Sequence, residues 1–139
     1  MPAAYRLEVV APDRIAYAGD VVSVVAPGAE GYLGVLAHHA PMVAELQVGI
    51  IKVVTSGGET LHLAAGGGFL EVMPDRTVIL ADSLERAGEI DVDRAQAARR
   101  RAQERLERRA QPEIDVERAE AALRRALNRL RIVGGRTPE

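Results

Sequence analysis

Glycine stops at Gly88 and does not return until Gly134. Ahead of that gap, short Val- and Ile-rich runs alternate with Gly- and Pro-containing turns. Inside it, Ala, Arg and Glu recur at helical spacing. A strand pattern has a period of two and a helical pattern a period of 3.6, so one regular element type cannot serve both regions. The chain is therefore expected to be a two-lobed α+β protein: an N-terminal antiparallel β-sandwich followed by a C-terminal antiparallel two-helix hairpin. The expected division is sandwich 1–84, linker 85–90, hairpin 91–133 and a frayed tail 134–139.

The β part reads as "YRLEVV", "VVSVVA", "GIIKVVT", "TLHLAAG", "GFLEVM" and "RTVILA", separated by "APDR", "APGAEG", "SGGE", "GGG" and "MPDR". Strands this short between such turns suggest a sandwich or barrel, with a hairpin at "SGGE", 56–59. Only 3% of residues are aromatic, so the core must be made of Val, Leu, Ile and Ala.

The helical part contains a near-repeat, "IDVDRA" at 90–95 and "IDVERA" at 114–119. Aspartate is a favoured N-cap, and an acid in the first turn suits the positive end of the helix dipole. Asp91 and Asp115 are expected to cap two helices, with Asp93 and Glu117 in the first turns and Ile90 and Ile114 just outside. "QPE", 111–113, separates the helices. The expected apolar stripes are Val92, Ala95, Ala98, Ala102 and Leu106, then Val116, Ala119, Ala122, Leu123, Ala126, Leu127, Leu130 and Val133. The first stripe is mostly alanine, so it buries little area, and the hairpin is a candidate moving part.

Arginine follows the same repeat. Arg94, Arg101 and Arg105 match Arg118, Arg125 and Arg129. At about 100° per residue, each arginine stripe lies to one side of its apolar stripe. Antiparallel packing brings both stripes to the same side of the hairpin. Such a face is either solvated among Glu104, Glu107 and Glu120 or a groove for an anion or acidic partner. Residues 90–139 carry a net charge of +4 and residues 1–89 a net of −6, which suggests different partners for the two lobes. The excess of Arg over the single Lys (Lys52) can also reflect genome composition or a hot habitat.

Several chemistries are excluded or disfavoured. With no cysteine, disulfides and Cys-based zinc sites cannot form. No phosphate-loop motif is present. "GGG", 66–68, precedes a strand rather than a helix, so it is expected to be a bulge or tight packing site. His38 and His39 have no acidic neighbour at ligand spacing, so no metal site is expected. No serine has triad neighbours. No signal peptide is read at the start, and no run reaches the ~18–20 apolar residues that span a bilayer.

"APDRIAYAGDVVSVVAPGAEGYLGVLAHHAPMVAELQVGIIKV" (11–53), with its G-x-x-G-V-L-x-x-H-A-P core at 31–41, and "GGGFLEVMPDRTVILAD" (66–82) resemble the epsilon subunit of bacterial and chloroplast F-type ATP synthases. The order of lobes also matches, and the resemblance runs along nearly the whole chain. It implies a sandwich of about ten strands and no catalysis by the subunit itself. It also implies contact with the gamma subunit and the rotor c-ring, through a partner-contact loop containing Gly31, Gly34, His38, His39 and Pro41. The hairpin is implied to fold on the sandwich or to extend toward the alpha and beta subunits, where it blocks ATP hydrolysis. Placement at the cytoplasmic face of a bacterial inner membrane follows, peripheral and not inserted, with the stromal face of the thylakoid as the alternative.

Some members of that family bind ATP in the folded hairpin through I/L-D-x-x-R-A, which "IDVDRA" matches. The resemblance carries that regulatory site onto Glu85, Ile90, Asp91, Arg94, Ala95, Arg101, Arg118, Arg125 and Arg129. ATP is then a regulatory ligand, with no cofactor required. The alternative reading is an Arg-rich helical hairpin that binds nucleic acid. The acidic chain and the lack of a recognised nucleic-acid module argue against it.

Overall fold

Ile50 and Ile51 are neighbours in sequence, and both are fully buried. Successive side chains of a strand point to opposite faces, so this strand must be covered on both. One cover is the sandwich core and the other is the helical hairpin. The structure is a computed structural model, and it describes residues 2–135.

The described strands are β1 (Tyr5–Ala11), β2 (Arg14–Gly28), β3 (Gly31–Val35), β4 (Met42–Thr55), β5 (Thr60–Val72), β6 (Thr77–Ala81) and β7 (Leu84–Arg86). A 3-10 turn, Ala87–Glu89, leads to helices α1 (Val92–Glu107) and α2 (Val116–Val133). The strand order is β1-β6-β5-β4-β2-β3, β1 also pairs with β2, and β7 sits on β5. The β1–β2 pairing closes the sheet on itself, so the sandwich is also a flattened barrel. The pairs are antiparallel except β1–β6, which is parallel.

The count of about ten strands is corrected to seven among the described residues. Three strands are long (15, 14 and 13 residues in β2, β4 and β5) and continue through bends instead of ending. "TLHLAAG" and "GFLEVM" are thus halves of β5, joined through Gly66–Gly68. Leu63 and Ala65 face the core before the glycines, and Leu70 and Val72 after them. The odd-to-even switch needs a local departure from strand geometry, supplied by Gly67 (φ 106°) and Gly68 (φ 142°). A Cβ on Gly68 would stand 2.0 Å from the Leu80 carbonyl oxygen. The expected hairpin at 56–59 joins β4 to β5.

The core is aliphatic, with Leu7, Val9, Val24, Val53, Leu70 and Ile79 fully buried. On the opposite face the register aligns an apolar row across four strands. Ile15 lies opposite Val10, Val10 beside Leu80, and Leu80 opposite Phe69. Ile15, Leu80 and Phe69 are each more than half exposed.

Both halves of the sequence repeat start helices as expected. The Asp91 side chain accepts from the Arg94 backbone N–H at 3.1 Å, and Asp115 from that of Arg118 at 3.0 Å. Asp93 and Glu117 stand in the first turns. Ile90, just before the first cap, is buried with Ala95, Ile50, Ala64 and Ile132. This matches the staple arrangement, in which the residue before the cap packs near the fourth helical position.

The expected stripe of α2 needs one amendment. Leu127 and Val133 are about two-fifths exposed, while Asn128 and Ile132 are buried. The reason is that α2 has two covered sides. Alanines of α1 and α2 (Ala102, Ala119, Ala126) are buried along the hairpin, and Arg125, Asn128, Arg129 and Ile132, at i, i+3, i+4 and i+7, form a second strip facing the sandwich. Segment 85–90 is ordered as the end of β7 plus the 3-10 turn. Of the tail, Gly134 caps α2 and residues 136–139 lie outside the described residues.

Candidate functional site

Where the hairpin folds back on the sandwich, α1, α2, β7 and the 3-10 turn enclose a cleft of about 350 Å³, lined by Glu85, Glu89, Asp91, Arg94, Ala95, Ala98, Arg101 and Arg129. That volume is within the range of roughly 300–1,000 Å³ typical of small-molecule sites. Each wall has a local cause. β7 pairs with β5 and fixes Glu85 opposite Ala64. The Asp91 cap fixes the first turn of α1, so Arg94 and Arg101, seven residues apart, project along one side. The sandwich-facing strip of α2 brings in Arg129.

The charges in the cleft are unevenly committed. Arg129 Nε donates to Glu85 Oε1 at 2.5 Å, tying α2 to β7. Glu89 accepts from Arg14 Nη1 at 2.6 Å and, with its other oxygen, from the Arg86 backbone N–H at 2.9 Å. The Arg14 hydrogen bond and then the backbone one hold the Glu89 carboxyl below the usual carboxylate range. Asp91 is occupied as a helix cap. Among the described residues, Arg94, Arg101 and Arg125 form no ion pair. All three carboxylates of the cleft are therefore engaged, while two of its guanidiniums keep their forks available for an anion.

A small cavity adjoins the cleft through Glu85 and Arg129 and is lined also by Ser83, Arg125 and Asn128. Asn128 is buried; its Nδ2 donates to the Gly49 carbonyl at 2.8 Å, and its Oδ1 has no hydrogen-bond partner among the described residues. A second open cleft, of about 500 Å³, shares Glu85, Glu89 and Arg129 and adds Pro12, Asp13 and Arg14.

Of the residues singled out in the sequence, the structure gathers Glu85, Asp91, Arg94, Ala95, Arg101 and Arg129 in one cleft. Arg125 lines the adjoining cavity, and Ile90 is buried beneath with Ala95. Arg118 lines none of these spaces; it is exposed in the first turn of α2, at the far end of the hairpin from β7. Sequence reasoning missed Arg14, Glu89 and Asn128. Arg14 and Asn128 meet their partners across 75 and 79 residues, so no local spacing could reveal them. The row of adjacent apolar residues at 50–51 was the available sign that a second layer covers β4.

The proposed partner loop lies elsewhere. Gly31 and Gly34 are on the short strand β3, and His38, His39 and Pro41 are exposed on the loop before β4. His38 has φ 67°, the left-handed region, and His39 Nδ1 donates to the Ala40 carbonyl at 2.7 Å. Among the described residues no group of three His, Cys, Asp or Glu could hold a metal.

Residues 4–87 match the family described as ATP synthase, Delta/Epsilon chain, beta-sandwich domain, and residues 89–134 match its long alpha-helix domain. The ATP synthase epsilon chain of Carboxydothermus hydrogenoformans is 53% identical over 104 residues, covering 75% of this chain and 77% of the relative. That of Desulforamulus reducens is 48% identical over 101 residues, covering 73% and 76%. A chain in the Euglena gracilis mitochondrial ATP synthase (its OSCP/F1/c-ring assembly in rotational state 1) is 26% identical with a TM-score of 0.77, over 89% of this chain and 78% of that one. The nucleic-acid alternative finds no support among these relatives.

Proposed function

This chain belongs to the family of F-type ATP synthase epsilon subunits, components of the central stalk without an active site of their own, and from that membership we propose that its hairpin is a mobile inhibitor of ATP hydrolysis, held down by ATP bound in the cleft. The observation that carries this reading is the composition of the cleft. Its walls come from β7, α1 and α2 together, so it exists only while the hairpin is folded on the sandwich. A ligand that binds only one of two states shifts the balance toward that state. ATP in the cleft therefore opposes extension, and its depletion releases the inhibitor.

The chemistry suits a sensed anion rather than a substrate. Arg94 and Arg101 offer guanidinium forks to a polyphosphate. Arg129 is shared between that task and Glu85, and Arg125 stands within the adjoining wall. Arg118 joins only if the hairpin tightens around the ligand.

The gamma subunit is assigned to the apolar row Ile15, Val10, Leu80 and Phe69, three of whose side chains are more than half exposed among the described residues. The loop with His38, His39 and Pro41 completes the partner-facing surface toward the rotor ring, and the alpha and beta subunits receive the hairpin when it extends. Among the described residues no helix is long and apolar enough to cross a membrane; attachment to the cytoplasmic face of a bacterial inner membrane is through these partners.

Calorimetric titration of ATP into the isolated chain tests the ligand, with Arg94→Ala as the paired control. Saturable binding that the substitution weakens at least ten-fold supports the site. Equal binding by both, or none up to millimolar ATP, rejects it. Hydrolysis by the assembled enzyme, with this chain whole or truncated after Glu89, tests inhibition; equal rates would reject that part.

A further inference from the structure

We infer that Arg14 is the positioning residue of the hinge, fastening the 3-10 turn to the β1–β2 hairpin and thereby setting how readily the helical pair leaves the sandwich. This rests on the mobile-hairpin reading above; Arg14 is not among the residues of the nucleotide motif.

The turn Ala87–Glu89 is the last element before the helical pair. A residue that holds it controls the start of α1. Glu89 is fixed at both carboxylate oxygens: one closes the turn on the Arg86 backbone N–H, and the other meets Arg14 at 2.6 Å. The Arg86 side chain adds a second tie, donating to the Ala16 carbonyl at 3.3 Å. The turn is thus fastened twice to the beginning of β2.

Backbone geometry does not require arginine at position 14. It is the first residue of its strand, paired with Ala11 at the end of the β1–β2 hairpin, where many side chains fit. Its guanidinium reaches across the open cleft it shares with Glu85, Glu89 and Arg129. Without it, Glu89 would face Glu85, Asp13 and Asp91 with one fewer cation, and like charges would loosen the turn. Ile90 and the Asp91 cap follow Glu89 directly. Displacing the turn therefore displaces the buried Ile90, the start of α1 and, with them, Arg94.

The two side chains are about a third and two-fifths exposed, so the effect is modest and salt-sensitive. Exposed pairs shift an equilibrium by up to about five-fold, and screening removes most of that at high ionic strength.

The test is hydrogen exchange on the full chain, without nucleotide and at low salt, for wild type, Arg14→Ala, Arg14→Lys, Glu89→Gln and the Arg14→Ala/Glu89→Gln pair. Glutamine keeps an acceptor for the Arg86 N–H and removes the charge. The expected result is two- to five-fold faster exchange at amides 90–95 in Arg14→Ala, substantial recovery in Arg14→Lys, and little further change when Arg14→Ala is added to Glu89→Gln. Core amides of Val9, Leu70 and Ile79 stay unchanged, and 0.5 M salt removes the difference. Unchanged exchange at 90–95, additive effects in the pair, or equal acceleration in the core would each overturn the inference. ATP titration of the same variants separates the two readings. If wild type binds no ATP, the nucleotide site fails while the exchange result still decides the role of Arg14. If it binds, Arg14→Ala should weaken binding by the same small factor.

Discussion

Asn128 Nδ2 donates to the carbonyl oxygen of Gly49 at 2.8 Å, a buried hydrogen bond between residues 79 positions apart, one in α2 and the other in the sandwich. Asn128→Ala would remove that bond as long as the hairpin stays down, while Gly49 keeps its place opposite Ala65 in the β4–β5 ladder. The loss of one intramolecular hydrogen bond costs about 0.5–1.5 kcal/mol. The bond exists only with the hairpin down, so the cost falls on that state alone. A distance probe between α2 and β4 should report a larger extended fraction, while the melting temperature of the sandwich is unchanged. A sandwich destabilised to the same degree would place Asn128 in the global core instead.

Two isoleucines separate docking from folding. Ile132 is buried with Ile50, Ala64, Ile90 and Ala95, whereas Ile79 is fully buried in the sandwich. Truncating a buried Ile to Ala costs about 2–5 kcal/mol. For Ile79→Ala the loss should appear as a lower denaturation midpoint of the whole sandwich. For Ile132→Ala it should appear as faster amide exchange in α2 and a more open hairpin, with the sandwich midpoint nearly unchanged. Equal losses of sandwich stability would mean that the hairpin and sandwich unfold as one unit.

The two lobes, both helix starts and the hairpin at 56–59 were legible in the sequence because each depends on local chemistry. Asp91 and Asp115 cap wherever a helix follows them. Of the arginine stripes placed by helical angle, Arg94, Arg101 and Arg129 line one cleft and Arg125 the adjoining cavity, while Arg105 and Arg118 stand exposed outside them. The strand count was not legible, because Gly66–Gly68 looks like a break between strands and is a bend within one. The second buried strip of α2 was also hidden. A polar Asn128 beside Arg125 and Arg129 looks like solvent-facing helix, and only the sandwich beneath it makes that side an inside. The same holds for Glu89, whose partner arrives from the first hairpin of the chain.

Gly68→Ala tests whether the bend in β5 is required. The added Cβ would meet the Leu80 carbonyl oxygen at 2.0 Å, and φ 142° at this position suits glycine. Backbone on the neighbouring strand cannot swing aside as a flexible side chain can. The expected loss is about 2–3 kcal/mol or more, read as a lower midpoint in urea. The switch that turns both Leu63 and Leu70 toward the core depends on this bend. A Gly58→Ala control has open space around its Cβ and carries only the cost of its positive φ, so it should lose less.

Acid should loosen the hinge in a defined direction. The Glu89 carboxyl is held below its ordinary value of 4.5, first by Arg14 and then by the Arg86 backbone N–H. A carboxylate with a depressed folded-state pKa contributes stability that is fully present above its unfolded value and lost as pH falls through the folded one. The contribution of Glu89 is therefore intact at neutral pH, begins to fade near 4.5 and disappears below its lowered value. Around Glu89 stand Arg14, Arg86, Arg94, Arg101 and Arg129 as cations, with Glu85, Asp91, Asp13 and Asp82 as acids. A fluorescence distance pair spanning α1 and β2 should show the hairpin opening as pH is lowered through that window. In Arg14→Ala the titration should be shallower and displaced to higher pH, because the interaction that depresses Glu89 is gone. An identical acid profile in both proteins would mean that the Arg14–Glu89 pair does not set the opening.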